Sequence, residues 1–216
     1  MARLKLGILI SGRGSNLQAL LRACAEPGFP AEIALVVSNR AAAPGLEFAR
    51  EAGIPTAVVP LSAHGGDRDA ADAAMTALLR AAGVELVCLA GFMRLLTPGF
   101  VEGWRDRLIN IHPSLLPAFK GLDTHRRALE AGVRITGCTV HYVRLAMDEG
   151  PILVQAAVPV EDGDDEASLG ARILAAEHRC YPLAVRLIAE GRVRVEGERA
   201  RIEAPAPATA LVNPAP

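Results

Sequence analysis

Apolar runs and helical stretches alternate along the first half of the chain. Leu4 to Ile10 is apolar apart from Lys5, as expected of a strand buried on both faces. Asn16 to Ala25 carries Leu17, Leu20 and Leu21 at helical spacing. Ile33 to Val37 predicts a second strand, Pro44 to Ala52 a helix, and Thr56 to Val59 a third strand. Asp69 to Ala82 reads as a helix, Leu86 to Ala90 as a fourth strand, Pro98 to Trp104 as a short helix, and Leu108 to Ile111 as a fifth strand. This rhythm implies right-handed βαβ units: an α/β fold with a mainly parallel central sheet and helices on both faces.

After His112 the pattern changes. Pro113 to Asp123 reads as loop, and Thr124 to Ala131 as a helix with Thr124 as its N-cap. Thr136 to Val143 and Ile152 to Val160 read as strands joined by the acidic turn Met147-Asp-Glu-Gly, an antiparallel hairpin toward the C-terminal part. Asp165 to Ala189 predicts a long helix that Pro182 should kink, because the ring deletes a hydrogen bond and crowds the carbonyl of His178. Val193 to Val195 and Ala200 to Ile202 suggest a small terminal hairpin about Glu196-Gly197. One domain is expected over 1–203, followed by a disordered Ala/Pro-rich tail at 204–216.

Composition narrows the class. Alanine, leucine and valine dominate a chain with only one Trp, two Tyr and five Phe, which suits helices packed on an interior sheet. A formal net charge of −1 gives no electrostatic case for nucleic acid or an anionic membrane. The four cysteines, at 24, 88, 138 and 180, form no C-x-x-C and read as reduced thiols. No basic segment with an apolar stretch opens the chain, and no apolar run reaches the roughly 18 residues of a membrane span, so a soluble cytoplasmic protein is expected.

Two stretches carry candidate chemistry. The fifth strand ends in Asn110-Ile-His112 and runs into Pro113. Strand side chains alternate faces, so Asn110 and His112 point the same way, at the strand end where open α/β sheets place their active sites. Strand one ends in Ser11-Gly-Arg-Gly-Ser-Asn16. Glycines opening a helix after a first strand let backbone N–H groups approach an anion. Leu17 occupies the place of the third glycine of a dinucleotide loop and no Walker lysine follows, so a single phosphate suits the loop better. The plain alternative is a strand-to-helix turn with a Ser/Asn cap. Asp148, taken alone, is a turn former. His141 reads as a satisfied strand residue, His125 as part of a first helical turn, His178 as a helix residue near Pro182, and His64 as exposed. Cys138 and His141 lack a second pair at ligand spacing, so no metal is expected. No G-x-S-x-G elbow is present, which disfavours a serine hydrolase.

Gly12-x-Gly-Ser-Asn16, Ala90-Gly-Phe-Met-Arg-Leu-Leu96, Asn110-Ile-His-Pro-Ser-Leu-Leu-Pro117 and Asp148-x-Gly-Pro151 together resemble the phosphoribosylglycinamide formyltransferases of the folate-dependent purine pathway. The resemblance runs from about residue 4 to about 203, in the family's order and spacing. The motif Asn-x-His-x-Ser-Leu-Leu-Pro is shared with other formyl-tetrahydrofolate enzymes, such as methionyl-tRNA formyltransferase. The phosphate loop and the lack of a second, C-terminal domain point to the glycinamide ribonucleotide branch. The resemblance implies a Rossmann-like fold and a cytoplasmic transferase, monomeric or a weak homodimer. It would pass the formyl group of its co-substrate 10-formyltetrahydrofolate to glycinamide ribonucleotide, without metal, nucleic acid or membrane. It further implies that Asn110, His112 and Asp148 are catalytic, that Gly14, Ser15 and Asn16 bind the substrate phosphate, and that Glu177 touches the ribonucleotide. Met93, Arg94, Leu95 and Leu96 would line the folate pocket, with Arg68 from the preceding loop. Asp123 stands where many relatives have histidine. The chemistry agrees: Asn110 and a protonated His112 could donate together to the oxyanion of a tetrahedral intermediate, with Asp148 favouring the imidazolium. The alternative is a formyltetrahydrofolate hydrolase or another formyl-tetrahydrofolate-dependent transferase. A non-catalytic nucleotide-binding module is the rival of a different class, disfavoured by the missing third glycine.

Overall fold

Residues 2–205, 211 and 213 are described by the computed structural model. They divide into two compact units, one running to Asn110 and including Val143–Leu145, the other formed by Ile111–Tyr142 and the chain from Ala146 onward.

The first unit holds β1 (Leu4–Ile10), α1 (Ser15–Ala25), β2 (Ala31–Ser38), α2 (Gly45–Glu51), β3 (Thr56–Val58), α3 (Arg68–Ala81), β4 (Leu86–Leu89), α4 (Pro98–Gly103) and β5 (Leu108–His112), whose last two residues enter the second unit. The strands run parallel in the order β3-β2-β1-β4-β5. Right-handed crossovers from that order put α1 and α2 on one face and α3 and α4 on the other. β1 is covered on both sides, which is why its last five residues are all buried and apolar but for Gly7. Leu9, Met75, Leu79, Trp104 and Leu108 share one core cluster, and each such side chain contributes on the order of 2 kcal/mol by leaving water. Strand order reverses between β1 and β4, so the loops that follow these two strands meet at the switch point of the sheet. Asp67 caps α3 by accepting from the backbone N–H groups of Asp69 and Ala70, which starts that helix at Arg68 rather than Asp69.

The second unit is less regular. It holds α5 (Thr124–Glu130), β6 (Ile135–Tyr142), β7 (Ile152–Pro159), α6 (Glu166–Ala189), β8 (Val193–Glu196) and β9 (Arg199–Ile202). β6 and β7 pair antiparallel, with a register shift at Val140/His141, and β8 and β9 form the small hairpin. The link from β6 to β7 is a long excursion from Val143 to Pro151 rather than a tight turn. The N-cap of α5 is Asp123, not Thr124. Asp123 sits in the left-handed region with φ 55° and turns its carboxylate 2.5 Å from Arg126, while Thr124 is buried inside the first turn. α6 opens on a reciprocal cap between Asp165 and Ser168 and continues through Pro182, where Cys180, Tyr181 and Ala184 are buried around the missing bond. Before the cap, Asp164 accepts two hydrogen bonds from the Arg172 guanidinium, at 2.8 and 2.9 Å, which holds its carboxyl well below the usual carboxylate range. The expected tail lies mostly outside the described residues. Of its described members, Asn213 donates to the carbonyls of Arg134 (2.6 Å) and Val160 (2.9 Å).

Candidate active site

In the first unit, the loop after β1 turns at Gly14, whose φ of 76° is left-handed. A Cβ there would lie 2.7 Å from the Gly45 Cα, so only glycine fits on both counts. Gly14 is the N-cap of α1 and no side chain caps that helix, contrary to the Ser/Asn cap of the plain-turn alternative. The first-turn amides of Ser15 and Asn16 thus follow an N-cap glycine that has no side chain to offer them, at the positive dipole end of the helix, an arrangement suited to one small anion.

The loop after β4 lies at the same switch point. Met93 and Leu95 are 68 % and 61 % exposed, so two large apolar side chains line a surface where an apolar ligand could cover them. Two arginines hold this segment from behind. Arg94 pairs with the buried carboxylate of Asp72, whose other oxygen accepts from the Thr97 amide at 2.7 Å, and its guanidinium also lies 5.6 Å from the centre of the Phe92 ring. Arg68 starts α3, rather than belonging to a loop, and donates to the Leu95 carbonyl at 2.5 Å. Leu96 turns partly into the core. Asp72 was missed by sequence reasoning. Its signal was present, an acid beside buried Ala71 and Met75 on the core face of an alanine-rich helix.

In the second unit His112, at the end of β5, is buried. Its Nδ1 lies 3.4 Å from Asp148 Oδ1, and its Nε2 lies 3.0 Å from the Phe119 carbonyl. Carboxylate and carbonyl both accept only. A neutral ring has one N–H and would face one of them with a lone pair, whereas the imidazolium presents an N–H to each. Asp148 is itself fixed, because its Oδ2 accepts from the Gly121 amide at 2.7 Å. Asp148 has φ 52°, a backbone conformation that aspartate tolerates better than most residues. Asn110 stands two positions earlier on β5, on the same face of the strand as His112.

The loop that carries Phe119 is anchored by buried hydroxyls. Thr139 Oγ1 donates to the Ser114 carbonyl (2.7 Å) and accepts from the Leu116 amide (3.0 Å). Ser114 Oγ donates to the Ala118 carbonyl at 2.6 Å, and Gln155 Nε2 to the Leu116 carbonyl at 3.0 Å. The polar residues after His112 thus serve backbone groups of their own loop. His141 is a partnered strand residue, as its place in the sequence predicts. It is buried on β6 with Nδ1 2.9 Å from the Tyr142 carbonyl, and burial pushes its pKa down, opposed by Tyr142 and Asp148 and assisted by His112. Glu177 is buried on α6 near the Cys138 and Cys180 thiols. The Cys138 pKa is raised by its hydrogen bond with Cys180 and by burial. His125 is partly buried, with a pKa lowered by burial, and His64 is half-buried rather than exposed. Among the described residues no group of three or more His, Cys, Asp or Glu side chains could hold a metal ion.

The first unit thus carries an anion-sized loop at its switch point, and the second a histidine held between two acceptors. The chain belongs to the formyl transferase family, whose model matches residues 4–185. It is similar to the phosphoribosylglycinamide formyltransferase of Escherichia coli K12, 44 % identical over 196 residues that cover 91 % of this chain and 92 % of that one. It is 50 % identical over 200 residues to the trifunctional purine biosynthetic protein adenosine-3 of Gallus gallus, covering 93 % of this chain and 20 % of that protein. The chain therefore spans about a fifth of the length of that curated relative. Among solved structures it resembles glycinamide ribonucleotide transformylase 1 of Symbiobacterium toebii, with a TM-score of 0.90 and 53 % identity over 93 % of this chain and 94 % of that one.

Proposed function

We propose that the protein transfers the formyl group of 10-formyltetrahydrofolate to the amine of glycinamide ribonucleotide in de novo purine biosynthesis. The observation that carries the reading is His112 held between two acceptors, Asp148 and the Phe119 carbonyl, at the end of a strand that also bears Asn110.

In this reading Gly14, Ser15 and Asn16 bind the phosphate of the ribonucleotide with backbone amides, and Glu177 contributes a further contact to it. Met93, Arg94, Leu95 and Leu96 line the folate pocket. Arg68 holds the Leu95 carbonyl, and Asp72 holds the Arg94 side chain and the Thr97 amide that follows. The amine attacks the formyl carbon, and the carbonyl oxygen gains negative charge. The Asn110 amide and the His112 imidazolium donate to that oxygen, which would take over the Nε2 proton that Phe119 now accepts. Asp148 orients the ring through its contact with Nδ1. The tetrahedral intermediate collapses as the folate nitrogen leaves with a proton, delivered from the attacking amine through His112 or a water molecule. No covalent enzyme intermediate and no metal enter the sequence. The catalytic domain is 1–203, and the protein works in the cytoplasm as a monomer or weak homodimer on small molecules alone. No helix among the described residues is long and apolar enough to cross a membrane.

The test is a formyl-transfer assay with purified protein, both substrates and EDTA. Formylated ribonucleotide and tetrahydrofolate should appear in equal amounts at a rate that chelation does not change. Release of formate at the same rate without ribonucleotide would instead identify a hydrolase.

A further inference from the structure

Ser11 has no part in the roles assigned above, although it opens the anion loop. Its side chain points away from solvent and is 4 % exposed. The hydroxyl donates to Asn39 Oδ1 at 2.6 Å and accepts from the Met93 amide at 2.8 Å. Its own backbone N–H donates to the Gly91 carbonyl at 3.1 Å. Ser11 therefore ties three strand ends together: its own after β1, Asn39 after β2, and the loop after β4. The loop it opens is pinned separately, because the Gly45 amide donates to the Gly12 carbonyl at 3.0 Å.

We infer that Ser11 is a positioning residue for the folate loop rather than for the phosphate. It sets Met93 through a relay in which Asn39 fixes the hydroxyl proton and thereby aims the oxygen lone pair at the Met93 amide. The inference rests on the assignment of residues 93–96 to the formyl donor. Three features of the geometry favour it. Met93 is strongly exposed, so apolar packing of its side chain does not hold it, and its backbone bond to Ser11 does. The hydroxyl's single proton goes to Asn39, and none is left for a phosphate oxygen. The anion loop keeps its left-handed turn and its Gly45 contact without the hydroxyl. A serine at the mouth of the ribonucleotide loop thus governs affinity for the other substrate.

The decisive variant is Ser11→Ala, which leaves the Met93 amide without its Ser11 acceptor. Hydrogen exchange at the Met93 amide should quicken by about tenfold or more, read on the protein without either substrate. The KM for 10-formyltetrahydrofolate should rise by about tenfold, while the KM for glycinamide ribonucleotide changes by less than about threefold. Ser11→Thr keeps the hydroxyl and should restore most of the folate KM. Asn39→Ala, which frees the hydroxyl to rotate, should give the same signature at roughly a third of the size and decides the matter if Ser11→Ala does not fold. Unchanged exchange at Met93 overturns the relay whatever the enzyme acts on. A ribonucleotide KM that rises as much as the folate KM also overturns it, because Ser11 would then be serving the anion loop. Faster exchange with no formyl transfer by the parent enzyme would leave the relay standing and reject the proposed reaction.

Discussion

The two units of this chain solve different problems. The first is a regular parallel sheet with a glycine-capped helix opening after β1 and a loop after β4 that side chains brace. The second buries two histidines, His112 and His141, with the hydroxyls of Ser114 and Thr139, where the first buries the Asp72 carboxylate with the hydroxyls of Ser11 and Thr97. The pKa shifts follow the same division. His125 and His141 are pushed down by burial in the second unit, while Cys24, raised to about 11 by burial, is the shifted group among the described residues of the first. The contrast teaches that binding surfaces can be assembled from exposed loop ends on a rigid sheet. A charged group in a buried setting, by contrast, needs an acceptor at each of its donors to offset the loss of water. On the proposed function, most binding groups belong to the first unit and His112 and Asp148 to the second, while Asn110 of the first takes part in the reaction and Glu177 of the second in binding.

The sharpest way to break this contrast is the pair itself. Asp148→Asn should slow turnover by more than tenfold at neutral pH, because an amide no longer stabilises the imidazolium. His112→Asn should cost at least as much, on the order of 10² or more. The double variant should lose far less than the product of the two, since the groups act as one unit. Multiplying losses would show that Asp148 serves only Gly121 and the loop.

Next in size is Gly14→Val. A β-branched side chain would collide with Gly45 and would be strained at positive φ. We expect the KM for the ribonucleotide to rise by at least tenfold, with the folate KM nearly constant. Equal effects on both substrates would reduce the loop to a structural turn.

Asp72→Ala tests whether the first unit's loop depends on a buried charge. The substitution strands the Arg94 guanidinium and the Thr97 amide. Loss of one partner of a buried pair costs about 3–5 kcal/mol. That corresponds to a fall in melting temperature of roughly 10 °C for a chain of this size. A fall of less than about 3 °C would mean that Arg94 finds water or another acceptor at little cost.

The smallest effect concerns pH. His125 and His141 have pKa values lowered by burial, so the fold favours their neutral forms. Their contribution to stability is complete above the ordinary histidine pKa of about 6.5 and is lost as pH falls through the lowered values. Melting temperature should drop by a few degrees, about 2–4 °C for each kcal/mol, between pH 7 and pH 5. His125→Gln should flatten part of that slope. An unchanged slope would place the acid-sensitive groups elsewhere.

Much of the first unit was legible in the sequence because its elements obey simple periods. β1 to β5 follow apolar runs, and the departures are of one or two residues, such as β3 ending at Val58. Asn110 and His112 were legible too, since strand alternation and Pro113 put both at one strand end. Asp148 was not, because a carboxylate in a turn has an ordinary local explanation. Its partners are a ring distant in the chain and the Gly121 backbone amide. The same holds for the Phe119 carbonyl and the Met93 amide: a backbone group leaves no residue type to read. Thr124 misled as a cap because helix-starting residues are interchangeable in pattern, and burial decided between it and Asp123.

The division between binding and reaction is tested most directly by single-turnover formyl transfer of His112→Asn, measured beside calorimetric titration with glycinamide ribonucleotide. The account predicts ribonucleotide affinity within about threefold of the parent and transfer slower by about 100-fold or more. Transfer at close to the parent rate, or affinity that falls in step with the rate, would contradict it.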